Sequence, residues 1–268
     1  MSDVFTMTEP GAGLSPRNMP GHWVLARLGK RVLRPGGMEL TRRMLEALNI
    51  VSADDVVEFA PGLGLTAQLT LNRHPSSYTA VERDATAAGI VSSYLKGSRQ
   101  KCVTGSADQT GLPDAMATVV YGEAMLTMQT PEMKRRIVRE ARRLLKRGGR
   151  YAIHEMCLVG DDLDEEGKKE INQALSRAIH VGVRPLSVSE WCELLEVGDF
   201  EIQTQVSAPM HLLEPHRLLS DEGLKGALRF VWNVAWDRES RERVLMMRKV
   251  FRRYQSNLAA ITLICVKR

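Results

Sequence analysis

Short apolar runs alternate with stretches of helical pattern through the middle of the chain, and this alternation limits the possible folds more than any other feature of the sequence. Five of these runs are predicted to be strands: residues 55–60, 77–82, 101–104, 117–122 and 150–158. Strands spaced by helices in this way are typical of a doubly wound parallel sheet, because parallel neighbours have to be joined by a crossover, which is usually a helix. We therefore predict an α/β fold.

The second half of the chain departs from this simple alternation. A sixth strand is predicted at 200–207 and a seventh at 259–266, which makes a seven-stranded sheet. The intervening residues 209–258 have mostly helical periodicity and are predicted to form a helical insertion between the last two strands.

The N-terminal part has a different character from the predicted sheet. Residues 1–21 are rich in Gly, Pro, Ser and Thr and are expected to form a mobile lead-in, whereas residues 22–48 are predicted to be helical. The expected organisation is a lead-in and helical cap over 1–48 and one domain over 49–268. The N-terminus has neither a basic start nor an apolar segment, so no secretory signal is expected.

Composition excludes several classes of protein. Hydrophobic residues make up 44% of the chain and charged residues 26%, a balance that excludes a disordered chain. The longest apolar run, residues 258–266, is far shorter than the ~20 residues of a membrane-spanning helix, so no membrane span is expected. Cys102, Cys157, Cys192 and Cys265 form no CxxC pair, which predicts free thiols in a reducing cytoplasm and no metal site.

The net charge of +5 raises the question of a nucleic-acid partner. Residues 134–150 hold nine basic residues and one acidic residue. The apolar residues of this stretch, Ile137, Val138, Ala141 and Leu144, have the spacing of one buried helix face, so the basic residues are predicted to be its solvated side. Aromatic residues make up only 5% of the chain and offer few platforms for stacked bases. We expect no nucleic-acid partner.

A glycine-rich turn lies between the first predicted strand and a helix, over residues 56–67. From Gly62 the letters GLGLTA satisfy the dinucleotide-binding pattern G-x-G-x-x-G/A. Glycine at Gly62 and Gly64 lets the backbone approach a ligand, and the helix N-terminus that follows favours a negative group. This pattern alone does not distinguish between several nucleotide-like cofactors.

Glu58, four positions before Gly62, indicates which of these cofactors is bound. Glu58-x-x-x-Gly62-x-Gly64 resembles motif I of the class I S-adenosylmethionine-dependent methyltransferases, [DE]-x-G-x-G-x-G, with Ala60 in place of the first glycine. The resemblance implies a mostly parallel, doubly wound Rossmann-like sheet with an antiparallel C-terminal strand, and S-adenosylmethionine as cofactor. The subgroup that the chain most resembles is the small-molecule group of ubiquinone- and menaquinone-pathway-like methyltransferases.

Three further motifs of that family follow in order. Glu82 comes eighteen residues after Gly64, at the end of the second strand, where a carboxylate can accept hydrogen bonds from both ribose hydroxyls. Residues 105–113 resemble the family's G-x-A-x-x-L-P stretch, and residues 139–155 its helix, double-glycine turn and fifth strand. The resemblance implies that Ala107 meets the adenine ring and Asp108 the adenine amino group. The predicted cofactor-binding residues are Glu58, Ala60, Pro61, Gly62, Gly64, Glu82, Arg83, Ala107, Asp108 and Glu123.

The sequence offers candidate bases but no catalytic signature. Glu123 follows the fourth strand and His154 lies at the end of the fifth, and these two residues are the candidates to accept a proton from the acceptor. The motif [DNS]-P-P-[YF], which holds acceptor nitrogens in related enzymes, is absent after the fourth strand. A small-molecule acceptor is therefore expected.

Two segments outside the motifs are expected to complete the site. Arg34 or Thr41 is predicted to contact the carboxylate end of the cofactor, since this family often folds a helix over it. The front of the insertion, residues 209–237, is predicted to cover the cleft. Together with Trp191 or Trp232 it should wall the acceptor site, and the predicted substrate-binding residues are Met210, His211, Trp191 and Trp232.

Two other functions fit part of the pattern. One is a nicotinamide-dependent oxidoreductase, for which the chain lacks a Tyr-x-x-x-Lys pair. The other is a non-catalytic module that binds S-adenosylmethionine or a nucleotide. Stabilisation by S-adenosylmethionine and S-adenosylhomocysteine, but not by NAD or NADP, would exclude the oxidoreductase.

Overall fold

A computed structural model describes residues 14–160 and 163–268. The strands in these residues are β1 (Asp55–Phe59), β2 (Ser77–Glu82), β3 (Gln100–Thr104), β4 (Ala117–Glu123), β5 (Leu145–Leu158), β6 (Leu186–Ser187), β7 (Phe200–Pro209) and β8 (Leu258–Lys267). They form one sheet with the order β3-β2-β1-β4-β5-β8-β7, and β6 pairs with β5 beside that path.

The directions of the strands confirm the predicted fold class. β1 to β5 pair in parallel, and β8 is antiparallel to both of its neighbours, β5 and β7. β7 therefore runs in the same direction as the first five strands, and only the C-terminal strand is reversed among the seven long strands. All seven predicted strands are present. The additional β6 has only two residues, too few for a detectable apolar run.

The helices fill the spaces between the strands as the alternation predicts. They are α1 (Gly21–Arg27), α2 (Gly37–Leu48), α3 (Leu65–Leu71), α4 (Ala85–Tyr94), α5 (Pro131–Leu144), α6 (Glu165–Ile179), α7 (Val188–Val197), α8 (Pro215–Trp236) and α9 (Arg238–Arg253), with a 3-10 turn at Leu126–Met128. The start of α5 is well specified by the sequence, because the side chain of Thr130 caps the N-terminus of the helix and Pro131 occupies its first position. Its apolar residues are buried as predicted.

The sheet is buried on both faces, because successive side chains of a strand point to opposite sides. On one face Val57 and Phe59 of β1 join a core with α5 and α7. On the other face Val56 packs with Met44, Leu45 and Leu48 of α2. α2 is therefore a layer of the sheet domain itself. The domain division at residue 48 remains a prediction, but residues 37–48 supply side chains to the core beneath the sheet.

A third apolar cluster lies beyond the carboxyl end of β5 and joins parts of the chain that are far apart in sequence. It contains buried side chains of α1, α6, α8 and α9 together with Met156 of β5 and Met210, which follows β7. We call α1, α6, α8 and α9 with residues 210–214 the helical lobe. The predicted insertion is thus present as α8 and α9, and β7 delivers it to the carboxyl end of the sheet.

The sequence predicts a mobile lead-in, but its described part, residues 14–20, packs against the rest of the protein. Residues 1–13 lie outside the described residues. Further along, Pro16 and Met19 are buried, and Arg243 of α9 donates hydrogen bonds to the carbonyl oxygens of Pro16 at 2.8 Å and Met19 at 3.2 Å. Residues 14–20 are therefore fastened to the helical lobe, a contact that local composition does not reveal. In residues 14–160 and 163–268, no helix has the length and apolar character needed to cross a membrane.

Candidate active site

A cavity of about 620 Å³ lies between the sheet and the helical lobe. On the sheet side it is lined by residues at or just after the carboxyl ends of β1, β2, β3 and β4, among them Ala60, Glu82, Gly105 and Glu123. This edge is where ligands bind in open parallel sheets, because the loops that leave neighbouring strands diverge there and form a crevice.

The glycine-rich turn forms one wall of the cavity. Gly62 has φ of 56° and Gly64 has φ of 74°, both in the left-handed region that favours glycine. A Cβ added at Gly62 would meet no atom within 4 Å, whereas one at Gly64 would lie 2.7 Å from the ring of Tyr94. Gly62 thus leaves room for a ligand and Gly64 for helix packing. Ala60, which also has a positive φ of 51°, occupies the first glycine position at a cost of about 1–2 kcal/mol.

Glu82 lies opposite this turn and is held by backbone donors. Its Oε2 accepts a hydrogen bond from the amide of Gly62 at 3.0 Å, and its Oε1 accepts one from the amide of Asp84 at 3.0 Å. A carboxylate can accept about four hydrogen bonds, so acceptor capacity remains for two hydroxyl groups in the cavity. The observed position of Glu82 and the open side of Gly62 fit a cofactor that carries a ribose diol.

Glu123, at the end of β4, is the centre of a buried polar cluster. Its Oε1 accepts hydrogen bonds from Thr41 and His154, each at 2.7 Å, and its Oε2 is bonded to Arg34 and Thr66. Burial alone would raise the pKa of Glu123, but the charge of Arg34 and the hydrogen bond from His154 outweigh it and hold this pKa well below its usual value. A carboxylate with four such partners is a poor proton acceptor.

Glu58, in β1, has the opposite environment. Its carboxyl group is fully buried and receives hydrogen bonds from the hydroxyls of Tyr78 and Tyr121. Burial raises the pKa of Glu58 to about 7, because two neutral hydroxyls compensate its charge less well than an arginine would. The carboxyl group is therefore partly protonated at neutral pH.

The part of the cavity beneath the helical lobe is mainly apolar. Its walls come from α1, the end of β5, residues 181–183, residues 210–212 and α9: Trp23, Leu25, Met156, Val183, Met210, Leu212, Met247 and Phe251. His22 is the polar exception in α1. Burial lowers the pKa of His22 to about 4 despite the nearby charge of Asp84, and its buried Nδ1 has no hydrogen-bond partner in the described residues.

Comparison with known proteins identifies a methyltransferase domain in the middle of the chain. The profile described as a methyltransferase domain matches residues 57–153, which span β1 to most of β5. An uncharacterized protein of Haemophilus influenzae is 32% identical over 235 residues, which is 86% of this chain and 91% of that protein. Residues 57–153 are therefore a methyltransferase domain. Its cofactor is S-adenosylmethionine.

Solved structures agree on the fold of the methyltransferase. Phosphoethanolamine N-methyltransferase 2 of Haemonchus contortus, in complex with phosphomonomethylethanolamine and S-adenosylhomocysteine, has a TM-score of 0.71 at 13% identity. The match covers 98% of this chain and 61% of that chain. The [4+2]-cyclase SpnF has a TM-score of 0.67 at 15% identity, over 91% of this chain and 92% of that chain. None of these matches singles out the ubiquinone-like subgroup, which stays a prediction.

Most of the predicted cofactor-binding residues of the methyltransferase do lie around the cavity. Those that line it are Glu58, Ala60, Pro61, Gly62, Glu82, Arg83, Ala107 and Glu123. Gly64, which packs against Tyr94, and Asp108 do not line it. The carboxylate of Asp108 is paired at 2.6 Å with Arg136 of α5, so the predicted contact with the adenine amino group is not favoured by its position. The basic face of α5 provides this partner, which lies 28 positions away in the sequence.

His154 is wrongly placed for the predicted role of general base. The side chain is fully buried, and it does not line the cavity. Its Nδ1 is bonded to Glu123, and its Nε2 to the carbonyl oxygen of Pro35 at 2.6 Å. Since both nitrogens already have protein partners, His154 positions Glu123 and Pro35. Arg34 lines the cavity, whereas Thr41 is buried and donates its hydrogen bond to Glu123; the predicted contact with the cofactor carboxylate stays a prediction.

The predicted aromatic wall is also corrected. Trp191 is fully buried against β5, where its Nε1 donates a hydrogen bond to the carbonyl oxygen of Met156 at 3.1 Å. Trp232 is 64% exposed on the outside of α8, because Phe230 occupies the inner face of that helix. His211 packs edge-on against His216 and does not line the cavity. Met210 does line it, while His22 was missed because a single histidine near a helix start carries no local signal.

Proposed function

We propose that this methyltransferase transfers a methyl group to a small, largely apolar acceptor bound beneath the helical lobe. The observation that carries the proposal is the continuity of the cavity, which joins the glycine-rich turn and Glu82 to an apolar chamber walled by α1, residues 210–212 and α9. Both substrates could therefore meet inside one enclosed space. A cytoplasmic location remains a prediction, supported by the four free cysteines.

The cofactor supplies an activated methyl group on a positively charged sulfur, and displacement in line with the breaking bond is expected. The chain has to align the two substrates and exclude water. Glu82 would accept hydrogen bonds from the ribose, and the open side of Gly62 would receive the backbone of the cofactor. Arg34 uses Nη1 for Glu123 and Thr66, so its Nη2 remains a candidate donor to a ligand carboxylate.

We propose His22, rather than His154, as the residue that receives a hydrogen bond from the acceptor. With a pKa of about 4 the imidazole is neutral at pH 7, and its Nδ1 is unpartnered in the described residues while the side chain lines the cavity. Because this pKa lies far below pH 7, the imidazole is a weak base, and its role is to accept a hydrogen bond that orients the acceptor.

Calorimetry with S-adenosylmethionine and S-adenosylhomocysteine tests the cofactor part. Glu82→Ala should weaken binding by about 1.5–3 kcal/mol, because a charged acceptor of the ribose hydroxyls is lost. Glu46→Ala, at an exposed position of α2, is the matched control and should bind like the wild type. Equal affinity of Glu82→Ala and the control would contradict the assignment, as would stabilisation of the wild type by NAD alone.

The transfer itself is tested by mass spectrometry of a metabolite extract incubated with the enzyme and cofactor. We expect a product heavier by one CH2 unit from an acceptor that partitions into organic solvent. His22→Ala should slow its formation about three- to tenfold, the effect of losing one hydrogen bond to the acceptor, while leaving the affinity for S-adenosylhomocysteine unchanged. Products found only among proteins or nucleic acids would contradict the proposed acceptor class, and undiminished turnover in His22→Ala would remove His22 from the reaction.

A further inference from the structure

The outer face of α8 is an exposed apolar stripe. After the non-helical Gly223, the helix presents Leu224, Leu228, Val231, Trp232 and Trp236, which are 66%, 61%, 57%, 64% and 73% exposed. Their spacing of about four and seven residues places them on one side of the helix. The rings of Trp232 and Trp236 lie 5.5 Å apart between centroids. We call these five residues the α8 stripe.

The opposite side of the same helix is fixed against the protein. Phe230 is buried in the apolar cluster of the helical lobe, and Asn233 donates a hydrogen bond to the carbonyl oxygen of Leu28 at 3.0 Å. The α8 stripe therefore cannot rotate inward without breaking these contacts. In the part of the chain that the structure describes, nothing shields it from solvent. Soluble monomers rarely leave a continuous apolar patch of this kind without a binding role.

The charges beside the stripe indicate its partner. Residues 224–236 contain two basic residues, Lys225 and Arg229, and no acidic residue. On a helical projection both lie at one edge of the α8 stripe, and both are exposed. Leucine and tryptophan on one face with basic residues at its edge are typical of a helix that lies in the interface of an anionic membrane. The amphipathic tryptophan ring favours the headgroup level of a bilayer.

A second copy of the chain fits this face less well. Two α8 stripes packed on each other would bring Lys225 and Arg229 of both copies to one interface. Residues 224–236 offer no carboxylate to pair with them, so the like charges would remain uncompensated. Anionic lipid headgroups provide that charge, and the acyl region below them receives the apolar side chains.

We propose that the α8 stripe, with Lys225 and Arg229, is a docking surface for anionic lipid membranes. The helix lies in the plane of the interface and does not cross the bilayer. Residues of the same lobe, Met210 and Leu212 before α8 and Phe251 in α9, wall the apolar part of the cavity. Docking therefore positions that lobe against the membrane. The proposal concerns binding and does not depend on the methyl-transfer reaction.

The test is co-sedimentation of the full chain with vesicles of phosphatidylcholine alone and of phosphatidylcholine mixed with phosphatidylglycerol. We expect binding to the mixed vesicles that weakens as salt increases. The double variant W232A/W236A should bind at least about tenfold more weakly, since most of the apolar area inserted is lost. K225E and R229E should each reduce binding about fivefold or more, since one basic residue near an anionic surface contributes about 1 kcal/mol.

Matched controls distinguish binding through the α8 stripe from non-specific hydrophobic adsorption and from an effect of net charge. Val197→Ser removes an exposed apolar side chain at the end of α7, and Arg139→Glu changes the net charge on α5. Both should bind vesicles like the wild type, and the unfolding temperature of every variant should be unchanged because the side chains are exposed. Equal binding to neutral and mixed vesicles, or undiminished binding of W232A/W236A, would overturn the proposal. A wild-type dimer that W232A/W236A converts to a monomer would also overturn it, in favour of a second copy.

Discussion

Two glutamates on neighbouring strands illustrate how strongly position decides the chemistry of a residue. Glu58 of β1 and Glu123 of β4 lie on adjacent strands of the sheet and both are buried. The first faces two tyrosine hydroxyls and has a pKa raised by burial to about 7. The second is buried as well, but the charge of Arg34 leaves its pKa well below normal. Near pH 7 one carboxyl group is partly protonated while the other is ionised.

Glu58→Gln should therefore change how stability depends on pH. Between pH 4.5 and about 7 the folded wild type holds a proton on Glu58 that the unfolded chain releases, so its free energy of unfolding falls as pH rises through this window. Glutamine keeps an acceptor for the tyrosine hydroxyls and has no proton to lose. Above pH 7 the variant should be more stable than the wild type by up to about 3 kcal/mol.

Urea denaturation of the two proteins at a series of pH values measures this difference. The gap between them should close below pH 4.5, where Glu58 is protonated in both folded and unfolded chains. A gap that does not vary with pH would show that the effect of the substitution is one of packing. His216→Gln, at an exposed position, serves as the control and should follow the wild type throughout.

At the scale of elements, α8 holds the segment that completes the site. Glu222 accepts hydrogen bonds from the backbone amides of Arg31 at 2.8 Å and Val32 at 2.9 Å, and Asp221 accepts one from the amide of Met38 at 2.9 Å. The buried Lys30 Nζ lies within 3.7 Å of both carboxylates. Residues 30–38 carry Arg34 to the cavity, so two distant elements form one structural unit.

Glu222→Ala should loosen that unit. It removes the acceptor of two backbone amides and one of the two carboxylates that face Lys30, and a broken buried ion pair of this kind costs about 3–5 kcal/mol. We expect a lower free energy of unfolding and faster proteolysis of residues 30–36. The affinity for S-adenosylhomocysteine should also fall, because Arg34 is no longer held in place.

Two variants make this measurement specific. Glu222→Gln retains one acceptor oxygen and should be affected less than Glu222→Ala. Glu242→Ala removes an exposed carboxylate of α9 that pairs with Arg238, and it should leave stability and affinity within experimental error. If Glu222→Ala lowered stability without changing proteolysis or affinity, the carboxylate would be structural and not part of a site-closing contact.

At the scale of the whole molecule, residues 14–160 and 163–268 form a sheet domain and a helical lobe that meet at the cavity. The lobe reaches the cavity through α1, residues 210–212 and α9, while the sheet reaches it through the turns after β1, β2, β3 and β4. A ligand that fills the space between them should stabilise both, since any molecule that binds only the folded state adds to its stability.

Hydrogen exchange with and without S-adenosylhomocysteine checks this coupling. Protection should increase in the turn at 60–66 and near Glu82, and also in residues 30–37 and 210–213, which we call the cover. The second effect is expected because Arg34 and Met210 line the same cavity as Glu82. Protection confined to the turn and to residues 82–107 would contradict a closing role for the cover. Glu82→Ala, with weakened binding, is the control for both effects.

The sequence by itself determined the sheet and the cofactor edge of the site. Each of these features is encoded by residues that are neighbours in the sequence. Apolar runs predict the long strands, glycines that can adopt positive φ predict the turn, and motif spacing predicts Glu82 at the end of β2. The antiparallel end of the sheet followed from family resemblance and not from local pattern. Local signals of this kind are reliable because the conformation of a strand or a turn depends mainly on its own residues and less on what packs against it.

Only the tertiary structure decided which side chains face the cavity. His154 is hydrogen-bonded to Glu123 and Pro35, and Asp108 is paired with Arg136. Trp232 faces solvent, whereas His22, which the sequence did not indicate, lines the cavity. Each outcome depends on a partner or a face supplied from elsewhere in the chain: Arg34 and Glu123 are 89 positions apart, and Pro35 and His154 are 119 apart. A linear pattern specifies where an element begins and which side is apolar, but the charge and hydrogen-bond partners that a side chain meets are set by how the elements pack.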